Sequence, residues 1–203
     1  EDAALVERTR NDIITKLSGK YGLKRFLKDG HQTVLEDIHR LHYESEDLKQ
    51  FEHIESEWPL FFAYLMLDGC FFGNGEQVKT YAAKLEQVAV ERNGIKLLPE
   101  LYYVPLVSIS LEREKPGSQE RLPNDNMPLV WAQSLWLLAQ LLQDKLVTVF
   151  DIDPLGRHQQ LDKTSQPVVQ FALVVEDATL QETLASRGIP TEIFEQIRPI
   201  RLE

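Results

Sequence analysis

Glu55-Ser56-Glu57-Trp58-Pro59-Leu60-Phe61-Phe62-Ala63-Tyr64-Leu65-Met66-Leu67-Asp68-Gly69 constrains the architecture more than any other run in the chain. It opens with two acids and then turns apolar. Pro59 suits a first helical turn, where its missing N–H leaves no bond unmade. Glu55 and Glu57 fall near the positive end of the helix dipole. The residues that follow are apolar on nearly every face, which means a helix buried on all sides or one that crosses a membrane. The run is too short to span a bilayer and meets Asp68 at its end, so burial is the reading. A buried helix implies a helical body around it, with an acidic, aromatic end placed where that body could present a pocket.

Gly73-Asn74-Gly75 breaks this helix, and Glu76 to Glu91 reads as a second one. Val78, Tyr81, Ala82, Leu85 and Val88 share one of its faces, so the two helices form an αα-hairpin. Asn93-Gly94 is a tight-turn signal. Ile95 to Pro105 is extended, because its prolines deny helical continuation. Ser108 to Pro128 reads as a long polar loop. Leu129 to Gln143 is a third apolar helix, holding Trp131 and Trp136. Before the central stretch, Ala3 to Ser18 carries an amphipathic stripe closed by Gly19. Gly19 to Gly30 is an irregular loop bearing Lys20, Lys24, Arg25 and Lys28. Val147 to Arg157 is a turn-rich exit. Past Lys163 the character changes: a β-type run over Val168–Val175, a helix over Asp177–Arg187 stopped by Gly188, and a short helix over Pro190–Ile197. Residues 1–160 are therefore expected to form a helical domain, and residues 161–203 to begin a small β/α extension.

Composition narrows the function. A hydrophobic share of 43% in 203 residues supports a real core. A net charge of −10 disfavours nucleic acid and anionic membrane surfaces as partners. The single cysteine, Cys70, excludes an internal disulfide and fits a reducing, cytoplasmic setting. It is expected to be a buried thiol. No signal peptide or membrane-length apolar run is present. The chain begins at Glu1 without methionine, which reads as a fragment or a processed product.

Motif chemistry is sparse. There is no phosphate-binding glycine loop, no paired CxxC and no nucleophile elbow, and no cofactor is implied. His39 and His42, with Glu36 and Glu44, match no zinc spacing. What stands out is carboxylates beside aromatics: Glu55, Glu57 and Trp58 at one helix start, and Glu100 with Tyr102 and Tyr103. Rings stack on sugar faces and carboxylates bind hydroxyls or activate water, so the pattern suits carbohydrate. It is equally the pattern of helix-start and surface acids. Trp131, near the start of its helix, is open to either a core or a sugar-lining role. Arg25 could meet a hydroxylated or anionic ligand from its loop.

Several strings carry a resemblance. They are Tyr21-Gly22-Leu23-Lys24-Arg25-Phe26 with Lys28-Asp29-Gly30, Leu48 to Phe61, Leu98-Pro99-Glu100-Leu101-Tyr102, Trp131-Ala132-Gln133-Ser134-Leu135, and Ile152-Asp153-Pro154-Leu155-Gly156-Arg157. Together, in this order, they resemble the phosphorylase kinase alpha/beta regulatory subunit family. The N-terminal part of that family is similar to glucoamylases, glycoside hydrolase family 15, with an (α/α)6 toroid. The resemblance implies a mainly α fold: the C-terminal half of such a toroid, packing on a missing N-terminal half, followed by the α/β extension. It implies Glu100 where the general base of a glucoamylase stands, Arg25 as a sugar-holding arginine, and Glu57, Trp58 and Trp131 as substrate-binding residues. The expected ligand is an α-glucan or oligosaccharide, in a regulatory protein of glycogen metabolism with other subunits as possible partners. The alternatives are an active inverting α-glucosidase, whose two carboxylates stand roughly 6.5–9.5 Å apart, and an interaction scaffold without ligand. The surroundings of Glu100 differ from those of active glucoamylases, and no acid-bearing upstream segment is found.

Overall fold

The computed structural model describes residues 3–155 and 173–193. The chain divides into two compact units, Glu1–Gln160 and Leu161–Glu203.

The first unit is mainly helical. Helix α1 spans Ala3–Leu17, α2 Leu60–Phe71 and α3 Gly75–Val88. Strands β1 (Val90–Arg92), β2 (Ile95–Leu97) and β3 (Tyr102–Tyr103) follow. Then come α4 (Ile109–Glu114), β4 (Leu122–Pro123), α5 (Val130–Gln143) and α6 (Val149–Ile152). Helix α2 is the hub, packing against both α3 and α5. Its Leu60, Phe62, Ala63, Leu65, Met66, Leu67 and Gly69 are buried, as a run apolar on most faces requires. Only Tyr64 and the following Phe72 open outward among its large side chains. The core continues through Tyr81 and Leu85 of α3 and Ala132, Trp136 and Ala139 of α5.

The α2–α3 turn is built by its residue types. Gly73 takes φ 66°, and the Asn74 amide donates to the Gly69 carbonyl at 2.8 Å, closing a Schellman turn. Asn74 then caps α3, its side chain accepting from the Gln77 amide at 3.1 Å. Helix α1 is joined to α2 by Arg10, which grips Asp68 bidentately at 2.7 and 3.1 Å.

Four expectations are corrected. Helix α3 stops at Val88 rather than Glu91, because Val90–Arg92 pairs antiparallel with Ile95–Leu97. Asn93 and Gly94 between them both have positive φ, the requirement of a tight hairpin turn. Ser108–Pro128 is not only loop: Ile109–Glu114 is helical, anchored by buried Ile109 and fully buried Glu112. Glu112 accepts from the Gly117 and Gln119 amides at 2.9 Å each, an arrangement its polar sequence hides. Cys70 is half-buried rather than buried. It faces an apolar groove of about 580 Å³ shared with Val78, Leu142 and Val147, and burial pushes its thiol up.

In the second unit, β5 (Val174–Val175) pairs parallel with β6 (Glu192–Ile193), and α7 (Ala178–Ala185) connects them. Asp177 caps α7 by accepting from the Leu180 amide at 2.8 Å. The fourth correction falls here. Glu192–Ile193 is strand, not helix, since pairing with Val174–Val175 supplies its backbone partners. Residues 156–172 and 194–203 lie outside the described residues, and with them most of the expected strand at 168–175 and the end of the expected helix at 190–197. No helix among the described residues is long and apolar enough to cross a membrane.

Candidate functional site

The site rests on a short backbone ladder in front of α2. Leu23 and Trp58 exchange two hydrogen bonds, at 3.2 and 2.8 Å, and Glu57 and Tyr102 exchange two more, at 2.9 and 2.8 Å. The segment leading into α2 is thus held from both sides. Pro59, with no amide to pair, lets the chain leave the ladder and turn helical. Arg25 lies two residues after Leu23, and Glu100 two residues before Tyr102. The ladder therefore fixes the chain positions of both relative to Trp58.

Arg25 is seated by Asp29, which is buried. Its Nε and Nη2 donate to the two carboxylate oxygens at 2.6 and 2.9 Å. This pairing leaves Nη1 for other contacts and pushes the guanidinium pKa further up. The guanidinium also lies over the rings of Trp58 and Phe26, at 5.3 and 5.4 Å. His31 stacks on Trp58 with ring centres 6.1 Å apart. Trp58 is buried, and its indole N–H has no partner among the described residues.

Glu100 is half-buried. Gln32 Nε2 and Asn124 Nδ2 both donate to its Oε2, at 3.0 and 2.8 Å. Burial works to raise this carboxyl, but hydrogen bonds from Gln32, Asn124 and Asn126, helped by His31, outweigh it and hold the pKa below the ordinary value. Arg25 and Glu100 also attract one another. Glu100 thus lies within electrostatic reach of Arg25, which itself covers the Trp58 ring. The carboxylate can accept from a hydroxyl and the guanidinium can donate to one, while Trp58 is packed against Arg25 and His31.

Glu57 does not join them. Its carboxylate points inward, accepting from the Tyr21 amide at 2.8 Å and pairing with Arg121 Nε at 3.1 Å. Arg121 also reaches Glu112 at 3.2 Å and donates to the Glu55 carbonyl. Glu55 in turn is paired with Lys24 of the basic loop at 2.8 Å. Trp131 stands elsewhere too. It is 57% exposed on the open face of α5, with its indole N–H donating to the Tyr64 hydroxyl at 3.1 Å. The buried face of that helix is the one carrying Ala132, Trp136 and Ala139. The sequence reading missed Gln32, His31, Asp29, Asn124, Asn126 and Arg121. The Asn124-Asp125-Asn126 run in a proline-rich loop was the one local signal for any of them.

Burial pushes the Glu57 carboxyl above its ordinary value of 4.5, despite Arg121 and the Tyr21 amide. The folded state then holds a proton there that the unfolded chain has already released. Stability therefore falls as pH rises from 4.5 through the raised value, and is regained on acidification across the same window. Urea unfolding of Glu57→Gln across that range should show a flatter slope than the parent; identical slopes would show that Glu57 is not the group responsible.

A mainly helical unit packed around one buried helix is the fold class of a glucoamylase-like protein. The sequence profile of glycosyl hydrolases family 15 matches residues 1–184, and the chain belongs to that family. Its relatives include the skeletal muscle isoform of phosphorylase b kinase regulatory subunit alpha from Oryctolagus cuniculus, 43% identical over 204 aligned positions. The liver isoform from Mus musculus and the probable alpha subunit from Drosophila melanogaster are each 40% identical over the same span. Each alignment covers 100% of this chain and 16% of the relative, so the chain spans about a sixth of the length of these curated relatives. The resemblance read from the sequence, and the helical fold class it implied, both hold.

Proposed function

We propose that this chain is an α-glucan-binding, glucoamylase-like module of a regulatory protein in glycogen metabolism. The observation that supports it most is the half-buried Glu100 carboxylate, kept ionised by neutral amides and attracted by Arg25, which covers the Trp58 ring. In this reading Glu100 and Arg25 hold sugar hydroxyls and Trp58 forms the floor. Glu57 supports the floor from beneath, and Trp131 takes no direct part. The names of the relatives, regulatory subunits of phosphorylase b kinase, support other subunits as partners, and the single cysteine supports a reducing, cytoplasmic setting. Isothermal titration with maltooligosaccharide tests the reading. Heat of binding at millimolar sugar is expected, and Glu100→Gln should weaken it about tenfold, the usual worth of a hydrogen bond to a charged group. Absence of heat would remove the glucan reading.

A second reading, an inverting α-glucosidase with Glu100 as base, is favoured by the lowered carboxyl pKa, since a base must be ionised. Glucose release that is lost in Glu100→Gln would establish it. A third, an interaction scaffold, is favoured by the apolar groove of about 570 Å³ along Val6, Tyr64, Phe71 and Leu135. That open face is also what a packing partner, such as the other half of a toroid, would cover.

A further inference from the structure

Gln32 has an unusual backbone and a fully engaged side chain. Its φ is 53°, in the left-handed region that residues with a Cβ rarely occupy. The conformation is held from outside. The Gln32 amide donates to Glu36 Oε2 at 2.6 Å, and its carbonyl accepts from Ser56 Oγ at 3.3 Å. The side chain then closes a triangle. Gln32 Nε2 donates to Glu100 Oε2 at 3.0 Å, Gln32 Oε1 accepts from Asn124 Nδ2 at 3.1 Å, and Asn124 Nδ2 also donates to Glu100 Oε2 at 2.8 Å. Asn124 is itself fixed, its amide donating to the Leu101 carbonyl at 3.0 Å and its Oδ1 accepting from the Leu101 amide at 3.4 Å. Strained backbone persists where the surroundings over-determine it, and such places cluster at functional sites.

We infer that Gln32 and Asn124 are positioning residues, a two-amide clamp that aims the Glu100 carboxylate at a neutral hydroxyl donor of the ligand. The inference rests on the reading of Glu100 as a ligand-facing group. Its logic is chemical. A lysine or arginine bonded to Glu100 would orient it but quench its charge. Carboxamides donate hydrogen bonds and add no charge, so these two contacts fix the carboxylate without neutralising it. Such a site favours a polyhydroxylated neutral molecule over an anion. Other groups also act on this carboxylate. Arg25 and His31 act from the preceding loop, with Asp29 and Glu36 around Arg25, and Asn126 bonds it from the following one. His31 Nε2 also lies 3.3 Å from Gln32 Nε2.

Carbon-13 NMR of the Glu100 side-chain carboxyl in the 203-residue chain tests the clamp, with the signal assigned by its loss in Glu100→Gln. The parent should titrate below the ordinary carboxyl value of 4.5. In Gln32→Leu and in Asn124→Leu the midpoint should move up. In Gln32→Glu it should move further, because a like charge replaces a donor. A residue that merely supports the loop would not produce that order. Should Gln32→Leu fail to fold, Asn124→Leu carries the same test, since its backbone is not strained. Midpoints unchanged in the folded variants would overturn the clamp, even with maltooligosaccharide still bound. Midpoints that rise in a protein taking up no maltooligosaccharide would uphold the clamp and remove the glucan reading.

Discussion

Replacing Arg121 with methionine should cost this chain about 3–5 kcal/mol of stability, the usual penalty for removing one partner of a buried charge cluster. The Arg121 side chain is nearly inaccessible, as are its carboxylate partners Glu57 and Glu112. Its guanidinium holds Glu57 at 3.1 Å and Glu112 at 3.2 Å, and also bonds the Glu55 carbonyl. Without it two acids that repel one another stay buried with amide donors alone. That uncompensated buried charge would pull the structure open. The effect should spread, because Glu112 fastens the 117–119 turn and Glu57 fastens Tyr21. Lysine at the same position should recover only part of the loss, since a single ammonium cannot reproduce a planar fork. Urea denaturation decides the matter, and a loss below about 1 kcal/mol would mean the cluster is dispensable.

The second large effect is expected from Gly22→Ala. A Cβ on Gly22 would stand 2.3 Å from the Trp58 carbonyl carbon and 2.4 Å from its oxygen. Backbone cannot swing aside as a side-chain tip can, so the Leu23–Trp58 bridge must part. Overpacking of this kind costs about 3 kcal/mol. It should also abolish maltooligosaccharide binding, because Arg25 loses its place over Trp58. Gly75→Ala is the matched comparison: no atom lies within 4 Å of its added carbon, and stability should stay within about 0.5 kcal/mol. Equal behaviour of the two variants would show that the close approach at Gly22 is not needed.

Local physics explains what could be read from the chain and what could not. Helix α2 announced itself because its run of apolar side chains admits only burial, and the α2–α3 and β1–β2 turns because Gly73, Asn74, Asn93 and Gly94 have few other uses. Helix α4 did not, since its decisive residue is a charged one, Glu112, whose partners lie in the following turn and in Arg121. The end of α3 was misplaced because Glu91 suits a helix as well as a hairpin, and the pairing with Lys96 decides. For the proposed site, Arg25, Trp58 and Glu100 were singled out by the family resemblance and by their residue types, acid and arginine beside an aromatic. Glu57 was grouped with them, whereas its carboxylate turns toward the Tyr21 amide and Arg121. An acid beside a tryptophan looks the same in sequence whether it points to solvent or into the core, and its inward turn depends on Arg121, 64 positions away. Gln32 and Asn124 were invisible for the same reason: an amide in a polar loop has no signature until its distant carboxylate is known.

The ladder of Leu23, Trp58, Glu57 and Tyr102 bears on the energetics of recognition. Arg25 is already locked to Asp29, and Glu100 to Gln32 and Asn124, before any ligand arrives. Freezing a rotamer-rich side chain during association costs about 0.5–1.5 kcal/mol. Here that ordering is completed when the chain folds. A molecule offering only weak, individually unremarkable hydroxyl contacts can then be retained by a surface with few rotors left to still.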